Sequence, residues 1–128
     1  MTYEINAAGT GYIVTGIGTC TDTEIVIPDM YNGLPVVEID DWAFCYCDSL
    51  TSVVIPDSVT EIGAWAFNGC SNLTEIYHTR SQSDVWGNLY IDVNNSEFFM
   101  AMPYYYSESA PDTEGNFWHY VDGNIVIW

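Results

Sequence analysis

Short apolar clusters, not long runs, organise this chain. Leu50-x-x-Val53-x-Ile55 and Leu73-x-x-Ile76 place apolar residues on one side of a short extended run, which predicts two strands. Pro56, and Pro28 after Ile25-Val26-Ile27, lack an N–H to continue a ladder, so each closes its strand and turns the chain. Val59-x-x-Ile62-Gly63 then returns along the far side, and Trp65-Ala66-Phe67 predicts a single helical or 3₁₀ turn with Ala66 and Phe67 inward. The pattern repeats. Trp42, Ala43, Phe44, Cys47, Leu50, Thr51 and Val53 recur as Trp65, Ala66, Phe67, Cys70, Leu73, Thr74 and Ile76, all at an offset of 23 residues, as Glu38 and Ile39 do in Glu61 and Ile62. A third, imperfect copy lies upstream, where Ile25-Val26-Ile27-Pro28-Asp29 parallels Val53-Val54-Ile55-Pro56-Asp57. Its surplus residues fall in Tyr31-Asn32-Gly33-Leu34-Pro35, a turn-rich stretch read as a looped-out bulge. A unit this small cannot cover its own apolar edge. Stacked copies must share a core, with strands aligned in a parallel ribbon and Trp42 over Trp65, Phe44 over Phe67 in columns.

Both ends of such a stack need covering. At the front, Tyr3–Ile5 and Tyr12–Val14 flank Ala8-Gly9-Thr10-Gly11, and at the back Phe117–Val121 and Ile125–Trp128 flank Asp122-Gly123-Asn124; both read as hairpins. Between them, Ser81-x-x-Asp84 before Val85, Trp86 and Leu89 starts a helix with a capping-box-like signal. Asn94-Asn95 before Glu97, Phe98, Phe99 and Met102 starts a second, stopped by Pro103. Ser107–Asn116, with Pro111 and Gly115, reads as a mobile loop. The expected organisation is a single domain over 1–128: an N-terminal hairpin cap (1–22), repeats (23–78) and an α+β closing unit (79–128).

The run Ile55-Pro56-Asp57-Ser58-Val59-Thr60-Glu61-Ile62-Gly63-x-x-Ala66-Phe67-x-x-Cys70-x-x-Leu73-Thr74 resembles the BspA-like leucine-rich repeat, a 23-residue variety found in surface proteins of gut and oral bacteria. The resemblance covers roughly residues 23–78 through repeats, and Met1–Pro28 and Tyr104–Gly123 are similar to the family's opening and closing segments. It implies an α/β solenoid, a short leucine-rich-repeat stack used for adhesion or protein recognition, with no catalytic residues to carry over. The departure is length: two good repeats and a partial one, where family members carry many.

Composition narrows the function. The 128 residues are 48% apolar, enough to fill a core, and no apolar run approaches the ~20 residues of a membrane span. Eighteen acidic residues face one basic residue, Arg80, for a formal charge of −17. Such a surface repels nucleic acid, whose binding depends on Lys and Arg displacing counterions. The acids are scattered singly except for the knot Glu38-Ile39-Asp40-Asp41, which fits a solubility role; the other reading is a surface that attracts a basic partner. No basic-then-apolar leader follows Met1, so a protein that starts there natively is expected in the cytoplasm of the producing or infected bacterial cell, although the resembling family sits on cell surfaces.

Candidate chemistry is thin. Cys45-x-Cys47 has the wrong spacing for a zinc knuckle, and His78 and His119 are isolated in sequence. Cys47 and Cys70 hold equivalent repeat positions, near enough to bridge, and are read as stacked buried thiols; Cys20 and Cys45 have no assigned role. Asp92-x-Asn94-x-Ser96 begins like a calcium loop, but Glu97 stands where Gly is required. No nucleophile elbow, phosphate loop or His-Glu-x-x-His occurs, and a short convex solenoid promises no cleft, so no enzyme activity, cofactor or metal is expected. What remains is surface. By register Glu24, Val26, Ser52, Val54, Glu75 and Tyr77 face the concave side, and with the knot Glu38, Asp40 and Asp41 they form the candidate partner-binding set, Tyr77 as an aromatic contact. One of Tyr104–Tyr106, Tyr105 or a neighbour, is expected exposed, while Trp42 and Trp65 read as structural more than as a carbohydrate platform. Two functions stand side by side: a non-catalytic recognition module for a protein partner, and an acidic polyanion mimic that blocks a nucleic-acid-binding protein, such as a phage-encoded anti-CRISPR or nuclease inhibitor. An incompletely capped stack joins end to end, so monomer and dimer both fit.

Overall fold

In the computed structural model, which describes residues 1–16, 21–109, 111 and 115–128, the chain winds back and forth between two sheets. One sheet runs through β3 (Glu24–Val26), β6 (Ser52–Ile55), β8 (Glu75–His78) and β10 (Met102–Tyr106), all parallel, and continues into β11 (Phe117–Val121) and β12 (Asn124–Ile127). The other carries the return strands: β2 (Tyr12–Gly16), β5 (Leu34–Ile39), β7 (Glu61–Ile62) and β9 (Tyr90–Ile91), also parallel, with β1 (Thr2–Ile5) at its edge. The 23-residue offset is the register itself, pairing Val53 with Ile76, Glu38 with Glu61 and Ile39 with Ile62. Ile25, Val53 and Ile76 point inward from one sheet and Ile39 and Ile62 from the other, and between them lie Phe44, Phe67, Leu50 and Leu73.

The expected columns form. The Trp42 and Trp65 rings stack 4.9 Å apart and 5° from parallel, Phe44 lies 5.2 Å from Phe67, and Phe98 extends the phenyl column at 5.1 Å from Phe67. The connecting segments differ from the expected helical turn. Ala43, Cys45 and Cys47 donate their N–H groups three residues back, to Asp40, Trp42 and Phe44, whereas Trp42, Phe44 and Tyr46 donate to Ala64, Ala66 and Asn68 of the next coil. A helix points every N–H along its own axis. Here every second one is turned to the neighbour, and Trp42, Tyr46, Trp65 and Gly69 adopt φ of 65°, 59°, 65° and 79° to allow it.

The caps follow the sequence reading in type. The front hairpin is β1–β2; Asp122 and Gly123, both with positive φ, close β11–β12. Helix α1 (Gln82–Asn88) starts at Ser81, whose side chain accepts from the Asp84 N–H, and α2 (Ser96–Met100) starts at Asn95. Three details change. The looped-out bulge is a second small hairpin, β4 (Met30–Tyr31) against β5, turning at Asn32-Gly33, and it brings Tyr31 onto Tyr3 at 3.9 Å. Pro103 does not stop α2; it sits inside β10, opposite Ile76. Tyr105 is not exposed: it points inward and stacks on His78, while Tyr104 and Tyr106 take the outer face. The expected loop at Ser107–Asn116 includes residues 110 and 112–114, which lie outside the described residues.

Cysteine chemistry divides the stacked pair. Cys70 is buried and free, burial pushing its thiol up to about 11, and its Sγ contacts the Phe44 carbonyl at 3.0 Å. Cys47 is disulfide-bonded, so the reading as two stacked free thiols fails for it, and since Cys70 is free the two are not joined to each other. Cys45 is a free, half-buried thiol, and Cys20 lies outside the described residues.

Candidate functional site

Strand pairing places Glu24, Ser52 and Glu75 side by side on the outer face of the β3–β6–β8 sheet, one residue per strand. Neighbouring strands lie ~4.8 Å apart, so the two carboxylates flank the serine across roughly twice that distance. The next outward row is Val26, Val54 and Tyr77. Val26 is 65% exposed, whereas Val54 and Tyr77 are only 5% and 8% exposed and line a groove instead of standing on open surface. The cause is Trp118. It comes from β11, forty residues further on, packs edge-on against Tyr77 at 5.7 Å, and donates its indole N–H to the His78 carbonyl at 2.9 Å. Tyr104, Tyr106 and Tyr120 gather round the same indole.

The β11–β12 hairpin therefore curls over the face that the sequence left open. Gly123, Asn124 and Ile125 at its tip stand opposite Glu24, Ser52 and Glu75 and convert a flat ribbon into a groove of about 440 Å³. The Tyr77 hydroxyl donates to the Glu75 carboxylate in this groove; burial, then this bond and the nearby charges, raise the phenol above its ordinary value. A cleft thus exists where a convex stack promised none.

Glu38, Asp40 and Asp41 are not part of it. They belong to the other sheet and the turn that follows β5. Burial, with repulsion from Glu61, Asp40 and Asp41, raises the Glu38 carboxyl. Asp41 accepts the Ala64 N–H at 2.8 Å and Asp40 accepts the Asp41 N–H at 2.9 Å, so the aspartates serve the coil's own turns. Among the described residues no cluster of three His, Cys, Asp or Glu is placed to hold a metal ion, and no helix is long and apolar enough to cross a membrane.

Arg80, the one Lys or Arg in the chain, is 4% exposed. Its Nη2 donates to the carbonyls of Pro56 at 3.1 Å, Asp57 at 2.5 Å and Val59, closing the turn after β6. The accessible surface of the described residues therefore carries no Lys or Arg charge.

Two parallel sheets wound from a 23-residue repeat, with a groove on the outer face of one, define a short leucine-rich-repeat solenoid. A family model described as the BspA type leucine-rich repeat region (6 copies) matches residues 19–99, and the chain belongs to that family. Among solved structures, a leucine-rich repeat protein of T. pallidum is 36% identical over 60% of this chain and 40% of its own, with a TM-score of 0.55. A leucine-rich cell surface protein of Faecalibacterium prausnitzii is 28% identical over 79% of this chain and 27% of its own, TM-score 0.62. A leucine-rich repeat protein of Bacteroides ovatus is 32% identical over 59% and 21%, TM-score 0.53. The chain thus spans well under half the length of these relatives. No curated protein matches it.

Proposed function

We propose that this chain is a non-catalytic recognition module which takes an extended, basic segment of a protein partner into the groove bounded by Glu24, Ser52, Glu75 and the hairpin tip. The observation that carries this reading is the register of Glu24, Ser52 and Glu75 along one rim of that groove, on a molecule whose basic side chain is internal. Fixed carboxylates on a rigid ribbon attract Lys or Arg over a distance and hold it by charge-assisted hydrogen bonds at contact. Two further facts support a place outside the cytoplasm rather than inside it: one similar structure is a cell surface protein, and Cys47 is held in a disulfide, a bond that persists in oxidising compartments. Binding to an array of Lys- and Arg-rich peptides tests the reading. Wild-type protein should retain basic peptides at low salt and lose them as the Debye length falls to ~8 Å at physiological ionic strength. Glu24→Lys with Glu75→Lys should abolish retention. Equal retention by that variant, or salt-insensitive capture of neutral peptides, would reject it.

The polyanion-mimic reading is favoured by one observation, the −17 charge combined with an internal arginine. It predicts competition with duplex DNA for the basic groove of a nuclease, insensitive to Glu24→Lys alone because the charge is distributed over the whole surface. Failure to displace DNA at any salt concentration would reject it.

A further inference from the structure

The two sheets end differently at the front of the stack. There β1 pairs with β2 and covers the edge of the return-strand sheet. The other sheet stops at β3, which among the described residues pairs with β6 alone. The bonds of β3 alternate. The Thr23 carbonyl accepts the Ser52 N–H at 3.2 Å and the Ile27 N–H donates to the Val54 carbonyl at 3.1 Å, so the odd-numbered residues turn their peptide groups to β6. In such a ladder the residues between them turn theirs the other way. The N–H and C=O groups of Glu24 and Val26 therefore point off the open edge, while their exposed side chains stand on the outer face, in the wall of the acidic groove. A row of outward peptide groups is a template for a further strand. The sheet's other edge, β12, carries no charge over Asn124–Ile127. At β3, Asp22, Glu24 and Asp29 are all exposed, and Arg80 is buried elsewhere, so this edge favours a basic newcomer.

We propose that the partner's extended segment joins this sheet as a strand antiparallel to β3, with a β-branched apolar residue opposite Val26 and, two places later, a Lys or Arg opposite Glu24. Such addition rests on the acidic-groove reading and specifies how the segment is held and what sequence it carries. Antiparallel pairing is the stronger per residue, and on this edge it puts both Glu24 and Val26 in hydrogen-bonded pairs, two bonds each. Residues opposite one another share a face, their Cβ atoms ~5 Å apart. A β-branched side chain there extends the row Val26, Val54, Tyr77 and covers Val26. A basic one extends the row Glu24, Ser52, Glu75 and meets the Glu24 carboxylate. The main chain supplies affinity and the two side chains supply selection.

The test titrates the full chain with the peptide Ser-Thr-Ile-Thr-Arg-Thr-Ser, its reversed sequence, and copies N-methylated at single positions. Hydrogen exchange followed by NMR should slow at the Glu24 and Val26 amides on saturation and stay unchanged at Ile25, which already faces β6. N-methylation at the peptide's Ile or Arg removes a donor to the edge and should weaken binding about fivefold, the factor for one hydrogen bond. At the Thr between them, whose N–H faces away, it should change nothing. The reversed peptide, equal in composition, should bind more weakly. Val26→Pro deletes an outward N–H without touching a bond to β6, the kind of edge position where a sheet tolerates proline, and should weaken the peptide, whereas Val26→Thr should not. If Val26→Pro does not fold, the N-methylated series decides. Salt-dependent binding with equal tolerance of all three N-methyl groups and no slowing at Glu24 and Val26 would overturn strand addition and leave the groove reading standing. Loss on methylation of the middle Thr alone would overturn the antiparallel register. Absence of any salt-dependent retention of Lys- and Arg-rich peptides would remove both readings.

Discussion

Arg80 works as a staple, not as a charge. Its guanidinium meets the carbonyls of Pro56, Asp57 and Val59 in the tight turn where Pro56 has ended β6, the Pro56 carbonyl also accepting the Val59 N–H at 3.2 Å. Removing it strands the Asp57 and Val59 carbonyls, each worth ~1–3 kcal/mol when left unpaired, while Pro56 keeps the Val59 N–H. Arg80→Ala should therefore lower stability by about 3 kcal/mol, read from the urea midpoint at constant slope, with Arg80→Lys intermediate because an ammonium cannot reach all three. His78 makes the other residue-scale prediction. Burial first, and the nearby Arg80 charge second, hold its folded pKa at about 4, below the ordinary value of 6.5. Between those values the unfolded chain binds a proton that the folded one refuses, so stability falls as pH drops from about 6.5 to 4 by up to about 3 kcal/mol, and the slope vanishes outside that window. Subtracting the pH profile of His78→Phe from that of the wild type isolates this contribution from the carboxylates; a flat difference across the window would contradict it. A single basic residue and an isolated histidine were visible in the sequence, but their burial was not, since neither spacing nor periodicity tells which way an inserted segment folds over them.

Among elements, the third coil shows how a repeat ends without a fourth copy. In the earlier coil the N–H groups of Trp42, Phe44 and Tyr46 bond to backbone carbonyls of the next. One coil later the equivalent donors, Trp65, Phe67 and Gly69, meet the Val93 carbonyl, the Asn95 Oδ1 at 2.9 Å and the Glu97 Oε1 at 3.1 Å. Two side chains have replaced two peptide carbonyls. Asn95 also donates through Nδ2 to the Gly63 and Asp92 carbonyls, both at 3.0 Å. Burial alone would raise the Glu97 carboxyl, but hydrogen bonds from its own N–H, from Gly69 and from Ser96 prevail and lower it. Asn95→Ala leaves the buried Phe67 N–H and the Asp92 carbonyl unmet, Gly63 keeping the Ala66 N–H, and should cost about 2–4 kcal/mol by denaturant unfolding; Asn95→Asp should cost less than that but still destabilise, because it keeps the acceptor and loses the donors. Gly63 belongs to the same accounting: a Cβ there would stand 2.5 Å from the Asp41 backbone nitrogen and 2.8 Å from the Asp40 carbonyl carbon, so the coils stack this closely only because the side chain is missing. The helix start at Asn95 was legible. Its use as the acceptor for a neighbouring coil was not, because the local cap signal is the same whether the amide faces solvent or a partner strand.

For the whole molecule, the closing hairpin decides what the solenoid shows to a partner. Trp118 is fully buried among Tyr77, Tyr104 and Tyr106 and anchors β11–β12 over the ribbon. Trp118→Ala should cost ~3–5 kcal/mol, the usual range for a buried aromatic truncated to alanine. It should also expose Tyr77 and widen the groove at Gly123–Ile125, which near-ultraviolet circular dichroism and the basic-peptide assay would both register; an unchanged peptide profile would separate the hairpin from recognition. The sequence alone determined the stack: identical apolar residues at a constant offset bury themselves best directly above one another, so the columns, the parallel ladder, the hairpin caps and the row of Glu24, Ser52 and Glu75 follow from local pattern and periodicity. Which residues of that row and the next stay in water was decided only by the tertiary structure. Exposure at Val54 and Tyr77 depends on a tryptophan more than forty residues further on, and such long-range docking obeys total surface buried and shape rather than any short-range pattern along the chain.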